Sequence, residues 1–507
     1  MKLILVCALF IAPLWGATCE SLTSLALPNT TITLAQSVAP GELALPGRTF
    51  GGTPAPAVAL KDLPAFCRVA ATLKPTSDSD IKIEVWLPAT GWNGKLQAVG
   101  NGGWAGSISY GAMEEALHDG YATSSTDTGH AGGSGSFALG HPEKIIDFGY
   151  RSEHEMTVKA KAIIEAFYGN PARMSYWNGC STGGRQGLKE AQRFPDDYDG
   201  IIAGAPANPR TRLAFGTMWI AHANLKDPAS YIPPAKYPAI HHAVLNACDA
   251  LDGLKDGLIT DPTRCHFDPQ LIACTGADTS ECLTPPQMET VKRILSPSRN
   301  PRTGEEIFPG LEPGSELGWA TLAGPQPFPA ITDHFKYVVF KDPKWDWKTL
   351  NFDSDVALAD KIDNETINAT DANLEPFFSR KGKLLLYHGW ADQNVAPQST
   401  INYYKRVVDT VSTTLGGEGK TADSTRLFMA PGMAHCGGGD GPNTFDMMTA
   451  IIDWREKGHA PERVIASHSS AGKVDRMRPL CAYPQVAKYK GSGSIDDAEN
   501  FVCEAPK

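Results

Sequence analysis

A chain of 507 residues is longer than one hydrophobic core usually spans, so a large domain carrying an insertion, or two domains, is expected. Its 46 basic and 56 acidic residues leave a net charge of -10 with no dense Lys/Arg run, which argues against nucleic acid and anionic membrane as partners. The composition is that of an ordinary globular protein, with no internal repeat and no long low-complexity segment.

In chain order, the first feature is a secretory signal over residues 1–17: Lys2 gives a positive start, Leu3 to Leu14 form a short apolar run, and Gly16-Ala17 are small. The run falls short of the ~20 residues a spanning helix needs. Lipidation is the lesser reading, because Thr18 is a poor residue before Cys19 and Cys7 lies inside the apolar run. The mature chain is therefore expected to be exported, secreted or periplasmic.

Short apolar runs then end repeatedly in turn residues and lead into helical patterns. Leu96 to Val99 runs into Asn101-Gly102-Gly103, and the Gly-rich piece from Gly129 to Gly140 reads as a loop. Glu153 to Tyr168 has a helical pattern, Ser175 to Trp177 runs into Gly179-Cys180-Ser181, and a helix from Arg185 to Phe194 opens behind the serine. Ile201 to Ala203 ends at Gly204-Ala205-Pro206. This alternation predicts a mostly parallel sheet with helices on both faces, whose sites lie at the carboxyl ends of its strands.

The Gly-x-Ser-x-Gly pattern at Gly179 to Gly183 predicts a sharp strand-to-helix turn that presents the Ser181 hydroxyl. Alone it is weak evidence, since 49 glycines and roughly 7% serine give about 0.3 such matches by chance. The strand before it, the helix after it and the order Ser181, Asp392, His435 strengthen it, because that is the triad order of α/β-hydrolases.

From about residue 209 to residue 375, prolines, Asp-Gly turns, local cysteines and aromatics replace the alternation. The stretch reads as a lid domain inserted between the serine half (18–208) and a second half (376–507), with an independent second domain as the alternative. Within it, Asp249, Asp252 and Asp256 are spaced by glycine bends that expose intervening carbonyls. They could wrap a hard cation such as calcium, or form Asp-Gly turns on a solvated surface.

Beyond the insertion, Leu384 to Tyr387 ends at His388-Gly389-Trp390-Ala391-Asp392. Asp392 is placed either to orient an imidazole or to N-cap a helix over Gln393 to Tyr404, and Asp440 is a rival acid. Arg426 to Met429 ends at Pro431-Gly432, and His435 follows in a glycine-rich loop, as a mobile base requires. His459 and His468 suit ordinary structural roles better. The oxyanion of such a site needs backbone donors; Thr182 N–H is one, and Gly103 is the candidate for the second.

Removing Cys7 with the signal leaves ten of eleven cysteines, an even set for an oxidising compartment. Short spacings favour Cys248 with Cys265, Cys274 with Cys282, and Cys481 with Cys503. Cys180 and Cys436 adjoin the candidate serine and histidine; paired, with Cα atoms about 4.4–6.8 Å apart, they would staple nucleophile to base. Cys19 and Cys67 then remain for each other.

Taken together, these segments resemble the tannase and feruloyl esterase family. The residues that carry the resemblance are Asn101-Gly102-Gly103, Gly179 to Gln186, Phe194 to Pro206, Cys248 to Ile259, His388 to Asp392 and Pro431 to Cys436. The resemblance implies an α/β-hydrolase fold with a lid, the Cys180–Cys436 bridge and the other pairings. It also implies one structural calcium held by Asp249, Asp252 and Asp256 carboxylates with Leu254 and Leu258 carbonyls.

Family members cleave esters of aromatic acids, of plant cell-wall or tannin origin, with hydroxycinnamate, gallate and a terephthalate monoester as alternatives. The fold does not choose among them. The lid supplies the acyl pocket, and its aromatics here include Phe328, Phe335, Tyr337, Phe340, Trp345 and Trp347. The terephthalate branch uses a lid arginine, and none occurs between Arg302 and Arg380, which argues against that branch. The expectation is a serine esterase of feruloyl esterase type, with a catalytically silent polyphenol- or carbohydrate-binding protein as the rival class.

Overall fold

The computed structural model describes residues 16–45, 49–50, 53–54, 58–60 and 62–506. Its centre is a nine-stranded sheet built from β1 (Thr30–Val38), β2 (Phe66–Leu73), β3 (Ile81–Pro88), β4 (Lys95–Val99), β5 (Ala122–Thr126), β6 (Met174–Cys180), β7 (Gly200–Gly204), β8 (Lys383–Gly389) and β9 (Thr425–Ala430). The spatial order is β1-β2-β3-β5-β4-β6-β7-β8-β9. The first three strands and the β3–β5 pair are antiparallel, and every pairing from β5 to β9 is parallel.

The parallel strands are buried on both faces, which explains why β4 and β6 to β9 read as short apolar runs rather than as an alternation; β5, with the sequence ATSST, is equally buried but carries no such run. Period-two geometry still sorts their side chains. Trp177, Ile201, Ala203, Leu384, Leu386 and Leu427 enter one core with α2 (Ser152–Tyr168), α3 (Thr182–Arg193) and α8 (Pro397–Leu415). Tyr176, Ile202, Leu385, Tyr387 and Phe428 face the opposite way, towards α1 (Tyr110–His118) and α9 (Met447–Lys457). Helices thus cover both faces, the α/β-hydrolase arrangement read from the sequence.

The chain leaves the sheet after β7 and returns at β8. Between them, α4 (Arg210–Leu225), α5 (Tyr237–Cys248), α6 (Pro285–Ile294) and α7 (Ser354–Asp363) pack with turns and short helices around two further cores. One of these draws its buried residues from Ala214 to Ala359; the other also takes in Ala207, Val395 and Ala396, where the segment meets the sheet. Two hairpins, β10 (Arg463–Ser470) with β11 (Lys473–Cys481) and β12 (Val486–Tyr489) with β13 (Phe501–Glu504), finish the chain.

All five expected disulfides are formed: Cys19–Cys67, Cys180–Cys436, Cys248–Cys265, Cys274–Cys282 and Cys481–Cys503. The signal reading over residues 1–17 lies outside the described residues save for Gly16 and Ala17; Ala17 N–H donates to the Ala166 carbonyl at 3.0 Å. Among the described residues no helix is long and apolar enough to cross a membrane.

Two helix boundaries differ from expectation. The helix behind Ser181 starts at Thr182 rather than Arg185, because Gly183 and Gly184 are helical despite their poor propensity. The helix expected from Gln393 starts at Pro397, whose fixed φ suits the first helical position.

Candidate active site

Every candidate catalytic residue sits at the carboxyl edge of the parallel strands. β6 ends at Cys180, and Ser181 turns the chain into α3 with φ 62° and ψ -119°, a strained conformation for a non-glycine residue. The turn survives because its neighbours fix it. Ser181 N–H donates to the Gly204 carbonyl at 2.9 Å, and the Ser181 carbonyl accepts from Arg185 N–H at 3.0 Å and Ala207 N–H at 3.1 Å. Gly179 and Gly183 cross so closely that a Cβ on Gly179 would lie 2.6 Å from the Gly183 backbone, while a Cβ on Gly183 would crowd the Gly100 and Asn101 backbone at 3.1 Å.

Asp392, fully buried beyond β8, accepts four hydrogen bonds. Oδ1 takes the amides of Asn394 (2.7 Å) and Val395 (2.9 Å); Oδ2 takes His435 Nδ1 (2.7 Å) and His388 Nε2 (3.0 Å). Burial pushes this carboxyl up, but the charge of His435 and the bonds from both histidines outweigh it and hold the group well below the usual carboxylate range. Asp392 caps no helix, since the N-cap of α8 is Ala396, and Asp440 is an exposed side chain 3.7 Å from His241 Nε2.

His388 escaped the sequence reading. It sits at the end of β8, wholly buried, with Nδ1 2.8 Å from Thr400 Oγ1 and Nε2 3.0 Å from the Val395 carbonyl. These partners assign the Nε2–H tautomer: the ring donates to Asp392 and accepts from Thr400. It positions the carboxylate without facing the cavity. A histidine at a strand end carries no periodic signal that distinguishes this role.

His435 stands on a loop held by Ala391 N–H to the Met433 carbonyl (3.0 Å), Ala434 N–H to the Gly438 carbonyl (3.0 Å) and the Cys180–Cys436 bridge, with its Cα atoms 5.9 Å apart. Ser181 and His435 line one cavity of about 340 Å³ with Gly102, Gly103, Cys180 and Cys436. Across it lie Leu213, Thr217, Leu322, Phe328, Ala330 and Ile331 from the inserted segment. Of the six aromatics noted there, Phe328 reaches the cavity. Phe335, Phe340 and Trp345 stack on one another 5.1–6.2 Å apart as core.

At the floor, Thr182 is the first residue of α3, so its amide has no intrahelical acceptor. Its hydroxyl donates to the Gly103 carbonyl at 2.9 Å, and Gly103 has φ 57°. Gln186 Oε1 accepts from Asn101 N–H (2.9 Å) while its amide donates to Asn101 Oδ1 (3.0 Å), locking the loop to the serine helix. Trp104 continues the loop and donates through Nε1 to the Ala330 carbonyl at 2.6 Å, joining it to the insertion.

Arg210, the first residue of α4, also lines the cavity, so the lid does bring an arginine to the site from outside the 302–380 stretch. It is buried over the Trp104 ring (4.7 Å) with Nε unpartnered. Burial, then the like charge of Arg185, lowers its pKa to about 10.

The acidic loop after α5 is closed by the Cys248–Cys265 bridge. Asp249 accepts from the amides of Asp256 and Gly257; Asp252 from Leu254 N–H and the Thr260 hydroxyl; Asp256 from Leu258 N–H and from Arg478 at 2.6 Å. Burial first, and the charges of Asp256 and Asp249 after it, raise the Asp252 carboxyl. Among the described residues no donor reaches the Leu254 or Leu258 carbonyl. The donors are the hard oxygens a calcium ion takes, and their mutual repulsion is what such an ion relieves. The three carboxylates do not converge within 4.8 Å, so ligation requires them to turn inwards.

The profile of the tannase and feruloyl esterase family matches residues 67–504. An uncharacterised esterase of Xanthomonas campestris pv. campestris is 40% identical, over 96% of this chain and 91% of its own length. A probable feruloyl esterase B-2 of Neosartorya fischeri is 37% identical over 86% of each chain. The crystal structure of feruloyl esterase B from Aspergillus oryzae superposes with a TM-score of 0.88 at 32% identity, covering 96% of this chain and 99% of the other.

Proposed function

This chain belongs to the tannase and feruloyl esterase family and is a carboxylic ester hydrolase; on that premise we propose that it cleaves esters of aromatic, hydroxycinnamic-type acids through Ser181, His435 and Asp392. The observation that carries the reading is the 2.7 Å contact of His435 Nδ1 with buried Asp392, in a ring that shares one cavity with Ser181. His435 Nε2 takes the Ser181 proton as Oγ attacks the ester carbonyl. The amides of Thr182 and Gly103 receive the developing oxyanion. Collapse expels the alcohol, protonated by His435, and leaves an acyl-enzyme. Water, deprotonated by the same ring, then releases the acid.

The inserted segment acts as a lid whose Leu213, Leu322, Phe328 and Ile331 give the aromatic acyl group an apolar wall. The Asp249 loop would hold one calcium ion through Asp249, Asp252 and Asp256, with the Leu254 and Leu258 carbonyls; Gly257 and Leu258 share a cavity wall with Gly432 and Ala434, so the ion would brace the lid against the loop that carries His435. The amino-terminal apolar run and five disulfides support export.

One observation favours a second acyl group. Arg210, whose Nε has no partner and whose Nη2 makes a long 3.4 Å bond to the Ala330 carbonyl, would pair a free carboxylate on the substrate, as in a terephthalate monoester. Turnover of methyl ferulate, methyl gallate, a neutral p-nitrophenyl ester and a terephthalate monoester ranks these readings. Ser181→Ala should lower kcat at least about a thousandfold with the fold intact. A variant keeping a tenth of the activity excludes Ser181 as nucleophile, and Asp440→Asn proving worse than Asp392→Asn overturns the acid.

A further inference from the structure

At the far end of the serine helix, three side chains from separate segments meet. His154 lies in the first turn of α2, Glu190 in the last turn of α3, and Asp197 in the turn leading to β7; one ring nitrogen and two carboxylate oxygens fall within 4.8 Å of one another. His154 Nδ1 is 2.6 Å from Asp197 Oδ2, and its ring stacks on Phe194 at 3.9 Å.

Glu190 makes the cluster unusual. It is 1% exposed, and neither of its oxygens meets an N–H or hydroxyl donor; the polar group it faces is the Asp197 carboxyl. Burial, followed by the charges of Asp197 and Glu153, pushes its carboxyl well up. The nearby cations are engaged elsewhere: Lys161 donates to the Asp197 main-chain carbonyl, and Arg380 pairs with Asp196. A buried ionised carboxylate without a partner is unstable, so either a proton or a cation belongs there.

A proton on Glu190, donated to Asp197, leaves His154 Nδ1–H donating to the same carboxylate at 2.6 Å; a cation replaces both protons, and one nitrogen with two carboxylate oxygens is a donor set for a borderline divalent ion. The His154 side chain is 30% exposed, which leaves an entry path and room for a water ligand. We infer that His154, Glu190 and Asp197 form a binding site for a divalent transition metal of the zinc type, separate from the acidic loop of the insertion. Nine residues of helix, about 13 Å, separate Glu190 from Ser181. The ion therefore ties α2, α3 and the turn before β7 together and takes no part in the chemistry.

The test uses the full chain, stripped with a chelator and then refilled with calcium so that the acidic loop is saturated. Equilibrium dialysis against zinc should give one equivalent that His154→Gln lacks or binds at least roughly tenfold more weakly. Zinc should raise the Tm of the wild type and not that of the variant, with kcat of the two alike. Glu190→Gln supplies the second arm. Loss of zinc in this variant supports the site, whereas a Tm held or raised without zinc, together with undiminished zinc binding, assigns a shared proton and overturns the proposal. Equal zinc binding by wild type and His154→Gln, or none by either, overturns it as well.

Discussion

Replacing Cys180 and Cys436 together by alanine separates what the bridge does for the fold from what it does for the reaction. The bridge spans 256 residues, so the loop-entropy relation gives about 5.5 kcal/mol as an upper figure for its contribution to stability. The Cys274–Cys282 bridge spans 8 and comes to about 2.5 kcal/mol by the same relation, which makes it a fit comparison. Both double mutants should unfold at lower temperature, the first by more. Activity should divide them further. Without the tether, the His435 loop keeps its backbone bonds to Ala391 and Gly438 but loses the covalent link to the serine turn. A displacement of ~1 Å costs about a hundredfold in rate.

The assay is kcat on a p-nitrophenyl ester at a temperature where circular dichroism shows both variants fully folded, with free thiols titrated to confirm the remaining bridges. Alanine at 436 meets the same positive φ of 64° that cysteine does, so strain is matched. A folded Cys180→Ala/Cys436→Ala enzyme with kcat within about threefold of the wild type would refute the reasoning, and the bridge would then serve stability alone.

Other outcomes are open to direct measurement. His388→Phe removes one of four donors to Asp392 and leaves the Val395 carbonyl and Thr400 without their partner; stability should fall by about 1–3 kcal/mol and kcat roughly tenfold, and an unchanged kcat would deny the positioning role. Chelation of calcium should lower Tm before it alters kcat below the transition; metal analysis finding less than one equivalent, with Tm unmoved, rejects the ion. Burial raises Asp127 to about 7, against hydrogen bonds from the amides of Lys82 and Gly129. Since the folded state binds this proton more tightly than the unfolded chain, the Asp127 contribution is complete below about pH 4 and is lost as pH rises towards 7. Asp127→Asn should flatten Tm across that window, and a slope equal to the wild type's would reject the assignment.

The central fold was legible because its signals are local. Apart from β5, whose Thr and Ser residues make no apolar run, each parallel strand announces itself as a short apolar run ending in a turn, and the order of Ser181, Asp392 and His435 is a property of the chain. Glycine at 179 marks a backbone crossing that no side chain tolerates. Cysteine pairing was readable through short spacings and the resemblance. Tertiary structure decided everything that depends on convergence from separate segments. His388 acquires meaning through its ring lying against Asp392, and Arg210 through the cavity wall, neither of which leaves a periodic trace. The starts of α3 and α8 were misplaced because close packing outweighs the low helix propensity of Gly183 and Gly184, and because Asp392 gives its oxygens to a turn and two imidazoles rather than to a helix. Sequence fixes which groups are available and which backbone turns they can make; their partners follow from burial, which forces each polar atom to find whichever donor or acceptor the packed chain brings within about 3 Å.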